Sequence, residues 1–593
     1  MDSFTLRYFR ESPGELNFIR IFSFLLNAIF ISLLVLHIGT LILRFLKPIL
    51  SKFYKRINQR FIVLEKRLSP DKWSLIFGIF FILIILYSFV IYRDFGIPID
   101  EKVEYSSLLV TGKKVFTTLG LLENAPESLR KAQELDTYAD KYYGVSAQIP
   151  LLLLEYFSEN LDYTTPLFWE IRHMYVRVFF IIAGFCFYSL LKPFIKSNLV
   201  LLIGLVLFFF HPRISAHSFY NIKDSLFLSL FTISAYFMFK YINTSTLKNL
   251  VFFAITTAFA INARLTGAFI PIYFVFYTLF SNRSNFKWAL KNLFIYSFLT
   301  ALTLYIIWPV LWSNPCIEIF NAFKTFSNYS KWGGTVLFMG KVIKASELPI
   351  TYVPVWILIT SPFHHLVIYI VGFLFLFYCF FKRGSKNGVN NILFFSLFVL
   401  LSTYGSVIIF NSTLYDDWRH LYFIFPFLII PGIIGLDFVH RSNKVLFLVI
   451  LSVMLISFIN TSFWMVRNHP YHYVYFNYLA GRNWDKRWDR DYWFLSSKQM
   501  LEELLDGCSS LNKQEKISVC ANYHVSYNQY IIPPEKRGAL LFVNSLKDCD
   551  YAIGDYRNIL GDYKREDFPG FNEFVSVKVD GKKIMTLFKR KEL

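Results

Sequence analysis

The chain lacks the signatures on which soluble enzymes commonly build their chemistry. It has no phosphate-cradling glycine loop, no HExxH metal pair and no GxSxG nucleophile turn, and no segment repeats another. A soluble nucleotide-sugar site is therefore unsupported. Cysteine is scarce, six in 593 residues. Cys508, Cys520 and Cys549 lie in the tail without paired spacing, so they form neither a disulfide framework nor a zinc motif, although a disulfide is permitted if the tail lies outside the cytoplasm. Cys186 and Cys379 sit in apolar runs and read as membrane-core residues. Acids are few, 41 against 61 Lys and Arg, for a net charge of +20. Those cations are not gathered with exposed aromatics in a soluble stretch, which argues against nucleic acid as a partner.

Apolar residues are what the chain has in excess. It is 55% hydrophobic and 20% aromatic, with mean hydropathy +0.43. Runs of about 18 or more apolar residues mean helical membrane spans. Twelve candidates occur: 20–46, 74–92, 174–191, 198–211, 225–242, 250–263, 265–281, 290–312, 366–381, 391–410, 421–439 and 444–464. The first is too long for a signal peptide and has no small-residue cleavage site, so it reads as a retained anchor. Alternate connections (47–72, 192–197, 243–249, 282–291, 382–390 and 440–444) hold nineteen Lys and Arg against two acids, Glu65 and Asp71. The opposite short connections, 211–224 and 411–420, hold three of each sign. The basic set is expected in the cytoplasm.

Three long segments then fall outside: 93–173, 313–365 and the tail from about 466. The first carries VTGKKVFTTLGLL and AQIPLLLLEYF, amphipathic helices suited to the membrane interface. The second, with Trp308 and Trp312 just before it, carries a Lys331-Trp332-Gly333-Gly334 stretch; these aromatics read as an interfacial belt, and Trp332 beside its two glycines alternatively as a sugar-stacking lid. The tail changes character. SSKQMLEELLDGC predicts a helix capped by Ser496 or Ser497, and KISVCANY, ALLFVN, FVSVKV and KIMTLFKR predict strands of a small α/β domain. The expected organisation is 1–73 as an extra hydrophobic helix and basic loop, 74–465 as the transmembrane domain, and 466–593 as an extracytoplasmic region.

Any chemistry must then come from the external ends of the spans. Asp100 and Glu101 follow the run ending at Tyr92, and an acidic pair at a span mouth is a functional-site candidate, although an isolated Asp-Glu equally suits a solvated loop. HPRISAHSFYNIKD, from His211 to Asp224, includes Arg213 and Lys223; NARLTG places Arg264 at another end; YDDWRH supplies Asp416, Asp417, Arg419 and His420. Singly each charge suits a helix-end anchor, but four clusters on one face suit that reading less well. A transport pathway would more often place polar groups near the midplane on broken helices.

The ordered set resembles the membrane glycosyltransferases of C-type (GT-C) fold, in particular the group using dolichyl- or polyprenyl-phosphate sugars that includes protein O-mannosyltransferases and aminoarabinose transferases (glycosyltransferase family 39). The resemblance spans about residues 74–500 and rests on IDEKVEY, HSFYNIKDSLF, NARLTG, WPVLWSNP, WRHLYFIFP, HPYHYVYFNYLAG and DYWFLS. The segment at 20–46 and the α/β tail, where eukaryotic protein mannosyltransferases carry a β-trefoil, depart from that pattern. The resemblance implies an all-α polytopic membrane protein of about 11–12 spans with a small C-terminal extracytoplasmic α/β domain. It lies in a bacterial plasma membrane, or in the endoplasmic reticulum if the chain is eukaryotic. The implied reaction is inverting transfer of a sugar, mannose being one such, from the lipid-phosphate donor to a hydroxyl of a protein, lipid or glycan. Asp100 is then the base, with Glu101 orienting it or the acceptor. Arg264, Arg419, Lys223 and His420 would hold the donor phosphate, and Asp224 is the second acidic position. Metal dependence stays open, Asp224 and Asp100 being the residues that would carry a divalent cation. A lipid-linked saccharide flippase or exporter, or a polysaccharide polymerase or ligase of related fold, are the alternatives.

Overall fold

The computed structural model describes residues 69–158, 161–281, 285–327, 332–382, 388–507 and 516–591. The run at 20–46, the basic stretch to 68, Lys331 and Cys508 lie outside the described residues. The other eleven runs are each built around helix. In chain order the main helices are α1 (Pro70–Ile91), α2 (Glu101–Thr118), α3 (Ile149–Phe157), α4 (Pro166–Leu191), α5 (Asn198–Phe209), α6 (Pro212–Tyr220), α7 (Asp224–Thr244), α8 (Leu247–Ala263) and α9 (Phe269–Ser281). There follow α10 (Phe286–Ile307), α11 (Pro315–Ser327), α12 (Tyr352–Thr360), α13 (Phe363–Phe381), α14 (Val389–Ile409), α15 (Phe425–Ser442), α16 (Lys444–Arg467) and α17 (Ser497–Gly507).

Eight helices among the described residues are long and apolar enough to cross a membrane: α1, α4, α7, α10, α13, α14, the stretch Arg419–Ser442 that ends in α15, and α16. The protein is thus a multi-pass membrane protein. The expected count of 11–12 is higher because it took three short elements as full spans. α5 and α6 meet at a 60° bend and make a ninth span only if taken together, while α8 and Leu265–Ser281 fall below full length. Local sequence sets the boundaries. Ser197 caps α5 by accepting the Val200 N–H (3.4 Å), Thr246 caps α8 through Asn249 (3.4 Å), and Pro166 opens α4, where no N–H is needed.

Burial sorts the spans. Arg419–Ser442 and α7 are 83% and 78% buried, whereas α1, α10 and α16 are 22%, 17% and 17% buried, so the first two form the inner wall and the rest face outward with leucine, isoleucine and phenylalanine. α13 and α15 cross at glycines: a Cβ at Gly432 would stand 2.2 Å from the Ile368 carbonyl oxygen, and one at Gly372 would stand 2.7 Å from the Gly432 nitrogen.

Residues 69–76 and 443–446 fall in a unit separate from the rest of the described chain, and in the second of these stretches Asn443 Oδ1 accepts the Leu446 N–H (3.1 Å). The remainder, Phe77–Ser442 with Phe447 onward, is a second unit that contains both the span bundle and the tail. Within it the three long segments meet at one end of the bundle. A hairpin of β1 (Thr335–Phe338) and β2 (Lys341–Lys344) bridges to Trp488, and Arg537 of the tail donates to the Thr164 carbonyl (2.6 Å).

The tail carries β3 (Ile517–Cys520), β4 (Leu540–Val543), β5 (Tyr551–Asp555), β6 (Phe571–Val579) and β7 (Lys582–Arg590) in the order β4-β3-β5-β7-β6, with α17 against it. β3 runs parallel to β4 and β5; the last two strands pair antiparallel through Asp580-Gly581, both at positive φ (49° and 75°), as a two-residue turn requires. Four of the five strands match the sequence expectation. β5 and the β1–β2 hairpin were not anticipated.

Candidate functional site

A cavity of about 190 Å³ opens among the helix ends, lined among others by Asp100, Lys223, Arg264, Arg419 and His420. Five predicted residues therefore share one space, although they come from four places in the chain.

Asp100 stands at the N-terminus of α2 and its side chain makes no capping hydrogen bond. The carboxylate is left free to reach Arg419 Nη1 at 2.9 Å, and the side chain stays 31% exposed. The backbone leading to it is held from the tail. Asn528, fully buried, accepts the Ile97 N–H (2.7 Å) and donates to the Ile97 carbonyl (3.0 Å). Gly96 permits this approach, because a Cβ there would lie 2.6 Å from both Asn528 Oδ1 and the Leu495 carbonyl oxygen.

α2 divides its other acids. Glu104, on the helix face one turn on, accepts from Lys223 Nζ at 2.7 Å, and that ammonium also sits 3.6 Å from the Tyr143 ring centre. Glu101 turns away from the cavity. It is buried against Arg172, with contacts of 2.7 and 3.0 Å.

Asp224 begins α7, where the helix dipole favours an anion. Asn221 builds the turn into it, accepting the Asp224 N–H (2.8 Å) and donating to Asp224 Oδ2 (3.0 Å). Arg264, at the extended C-cap of α8, pairs with the other oxygen. Arg419 Nη1 also reaches Asp224 (3.0 Å), while its Nη2 reaches Asp416 (3.2 Å). The guanidinium plane lies between the rings of Tyr415 and Trp493, 4.8 and 4.6 Å from their centres.

Asp416 and Asp417 both take left-handed backbone (φ 55° and 65°), which splays successive carboxylates to opposite sides. Asp416 faces Arg419 and receives a second cation, Arg557 of the tail, at 2.7 Å. Asp417 faces a separate buried network of Arg213 (2.8 Å), Tyr422 (2.9 Å) and Tyr492 (2.7 Å). Arg213 thus belongs to the frame and does not line the cavity. His420 lines it and packs edge-on to Tyr415 (4.6 Å), on which Trp332 stacks at 4.0 Å.

Around the central guanidinium the charges close. Asp100, Glu104, Asp224 and Asp416 face Lys223, Arg264, Arg419 and Arg557. A divalent ion does not fit this arrangement. Asp100 and Asp224 share one nitrogen of Arg419, so a cation already occupies the position a bridging metal would need, and among the described residues no three His, Cys, Asp or Glu side chains gather to ligate one. Hydrogen bonding, by contrast, is incomplete. Asn262 Nδ2, Arg264 Nε, Thr266 Oγ1, Trp308 Nε1, Thr403 Oγ1 and Arg419 Nε are buried without a partner, and all six belong to residues lining the cavity.

Beside the site, Asp489 accepts the N–H groups of Leu337 (2.9 Å) and Asn558 (3.2 Å), joining the β1–β2 hairpin to the loop that carries Arg557. Burial pushes its carboxyl up to about 7.

Sequence reading missed Glu104, Asn221, Arg172, Asn528 and Arg557. The first two lie inside motifs already singled out, and their spacing on α2 and before α7 was a usable signal. The others act from far along the chain and leave no local pattern. Comparison with protein-family models finds none that matches the chain, and comparison with curated proteins finds no match either.

Proposed function

We propose that the protein is a membrane glycosyltransferase that moves a sugar from a polyprenyl- or dolichyl-phosphate donor to an acceptor hydroxyl, with inversion, at the extracytoplasmic face. The observation that carries this reading is a single partly open carboxylate, Asp100, set on Arg419 in a cavity that Arg264, Lys223 and His420 also line. The acceptor, whether protein, lipid or glycan, reacts through a hydroxyl, since that is the group the chemistry requires.

In the reaction, the acceptor oxygen attacks the anomeric carbon, the bond from that carbon to the phosphate oxygen breaks, and the hydroxyl proton passes to Asp100. The leaving phosphate needs no proton donor, so one base suffices. Arg419 links the two halves of the charge movement. As Asp100 is neutralised, the guanidinium loses one anionic partner while the phosphate beside it gains charge. Arg264 and Lys223, each held by one carboxylate, supply further positive charge. The unpartnered donors around the cavity support an oxygen-rich ligand, because a buried donor left unpaired costs about 1–3 kcal/mol. Glu101 takes no part in proton transfer in this reading; it fixes α2 to α4 through Arg172.

The test uses purified protein in lipid nanodiscs with a radiolabelled polyprenyl-phosphate hexose and a hydroxyl acceptor, following release of polyprenyl phosphate. Asp100→Asn should slow release about 10²–10⁴-fold while leaving donor binding near normal. Wild-type turnover in that variant overturns the base assignment. Sugar that crosses the membrane still attached to its lipid, with or without Asp100, would instead identify a carrier.

A further inference from the structure

Two contacts described above come from the tail and converge on one group. Asn528 grips the backbone of Ile97, three residues before Asp100, from both sides of the peptide. Arg557, in the loop after β5, holds Asp416. Asp100 shares one terminal nitrogen of Arg419 with Asp224, and Asp416 takes the other. The tail therefore reaches both arms of the central guanidinium, one through a clamped backbone and one through an ion pair.

We infer that the C-terminal sheet domain is the positioning half of the site, with Asn528 and Arg557 as positioning residues that set Asp100 and Arg419 in register. Neither side chain lines the cavity. Both are tied in place by other means. Asn528 is fully buried, and a Cβ on Gly96 would collide with it, so the segment before Asp100 has no slack on that side. Arg557 follows β5 directly: its N–H reaches Asp555 Oδ1 (3.3 Å) and the next residue's N–H is bound by Asp489. A side chain anchored so closely to a strand transmits the position of the sheet to Asp416. Apolar packing runs the same way, since Ile531 of the tail shares a core with Ile97, Tyr105 and Leu108. Displacement of the base or the guanidinium by about 1 Å suffices to lower turnover on the order of 10²-fold without removing a single reacting group.

This inference rests on the transferase reading for its kinetic arm, so the test has a second arm that does not. Asn528→Ala, Arg557→Ala and Arg557→Lys are made in the full-length protein, together with Arg537→Ala, which removes a tail contact (to the Thr164 carbonyl) that does not lead to Arg419. With the labelled polyprenyl-phosphate hexose, the two alanine variants at the site should turn over about 10- to 100-fold more slowly with donor KM within about twofold. Arg557→Lys should recover part of the loss. The double variant should fall short of the product of the single effects, because both act on one guanidinium. Arg537→Ala should match wild type.

The second arm is hydrogen exchange on the same proteins. Arg557→Ala should raise exchange over residues 414–421 and Asn528→Ala over 98–104, while β5 and β7 keep their protection and the melting temperature moves little. Exchange rising throughout the tail sheet, with turnover lost only in proportion to folded protein, would reduce both residues to ordinary structural contacts and overturn the inference. So would wild-type turnover with unchanged local exchange. If the wild-type protein fails to use the lipid donor, the transferase reading falls, and the exchange pattern still decides whether the tail positions Asp100 and Arg419.

Discussion

At the scale of single residues, the finding of most consequence is that the arginines expected to await a phosphate are already engaged. Arg419 serves three carboxylates and Arg264 serves one. Arg264→Ala and Arg419→Ala should each weaken donor use, and in both cases turnover should fall along with binding, because the leaving group's charge grows as the bond breaks. Lys at 419 should rescue poorly, since an ammonium cannot span two terminal nitrogens and stack between two rings; rate against donor concentration, normalised to folded protein, checks both. Glu101→Gln should act differently. It strands a buried Arg172, a change worth about 3–5 kcal/mol, so yield and melting temperature should drop while turnover per folded molecule stays within a few-fold of normal. Asp489 gives a pH test. Its carboxyl ionises near 7 in the folded protein against 3.8 as the reference for an unfolded chain, so the folded form keeps a proton that the unfolded form releases in between. Its contribution to stability is therefore full below about pH 4 and is lost as pH rises through 7. The fall in melting temperature between pH 5 and pH 8 should shrink in Asp489→Asn.

At the scale of elements, the spans were legible because hydropathy over some twenty residues is a bulk property that tertiary contacts do not alter. The count was less legible. α5 and α6 are parted by a 60° bend, and α8 ends at the cavity wall and falls below span length, as does Leu265–Ser281; a run's length cannot show such breaks. The tail strands were found by their alternation and turns. β5 (YAIGD) has a burial pattern with four consecutive buried residues, which removes the period-two signal, and β1 and β2 are four residues each. The glycine crossing of α13 and α15 makes a prediction of its own. Gly432→Ala would push a methyl group into the Ile368 carbonyl and should destabilise by about 1–3 kcal/mol, read as a lower melting temperature in detergent. Gly405→Ala, in α14 with open space around the added carbon, should be neutral or slightly stabilising. Equal losses at both glycines would show that helix packing does not decide the matter.

At the scale of the whole molecule, charge counting in the loops expects the cavity end outside and the basic loops inside, and the cysteines make this testable. Cys316, exposed at the start of α11, should react with a membrane-impermeant maleimide in intact cells, whereas Cys379, near the opposite end of α13, should react only after permeabilisation. The reverse pattern would place the whole site in the cytoplasm. Much of that site was readable, since Asp100, Lys223, Asp224, Arg264, Arg419 and His420 sit in motifs at helix ends where charge is costly. What could not be read was the pairing. Arg557 lies 141 residues from Asp416, and Asn528 lies 431 from Ile97. Separations of that size follow from how the tail docks, which no local pattern encodes. They carry a consequence for how the protein is made. Every span is synthesised before Asn528 and Arg557, so a chain halted after α16 would already hold the membrane helices and yet lack both grips on Arg419. Activity would then switch on late in biosynthesis, once the sheet has folded against a bundle that is already in place. A nonsense mutation before Asn528 should leave the membrane helices in place and remove both grips, so that the donor-release assay reads no turnover.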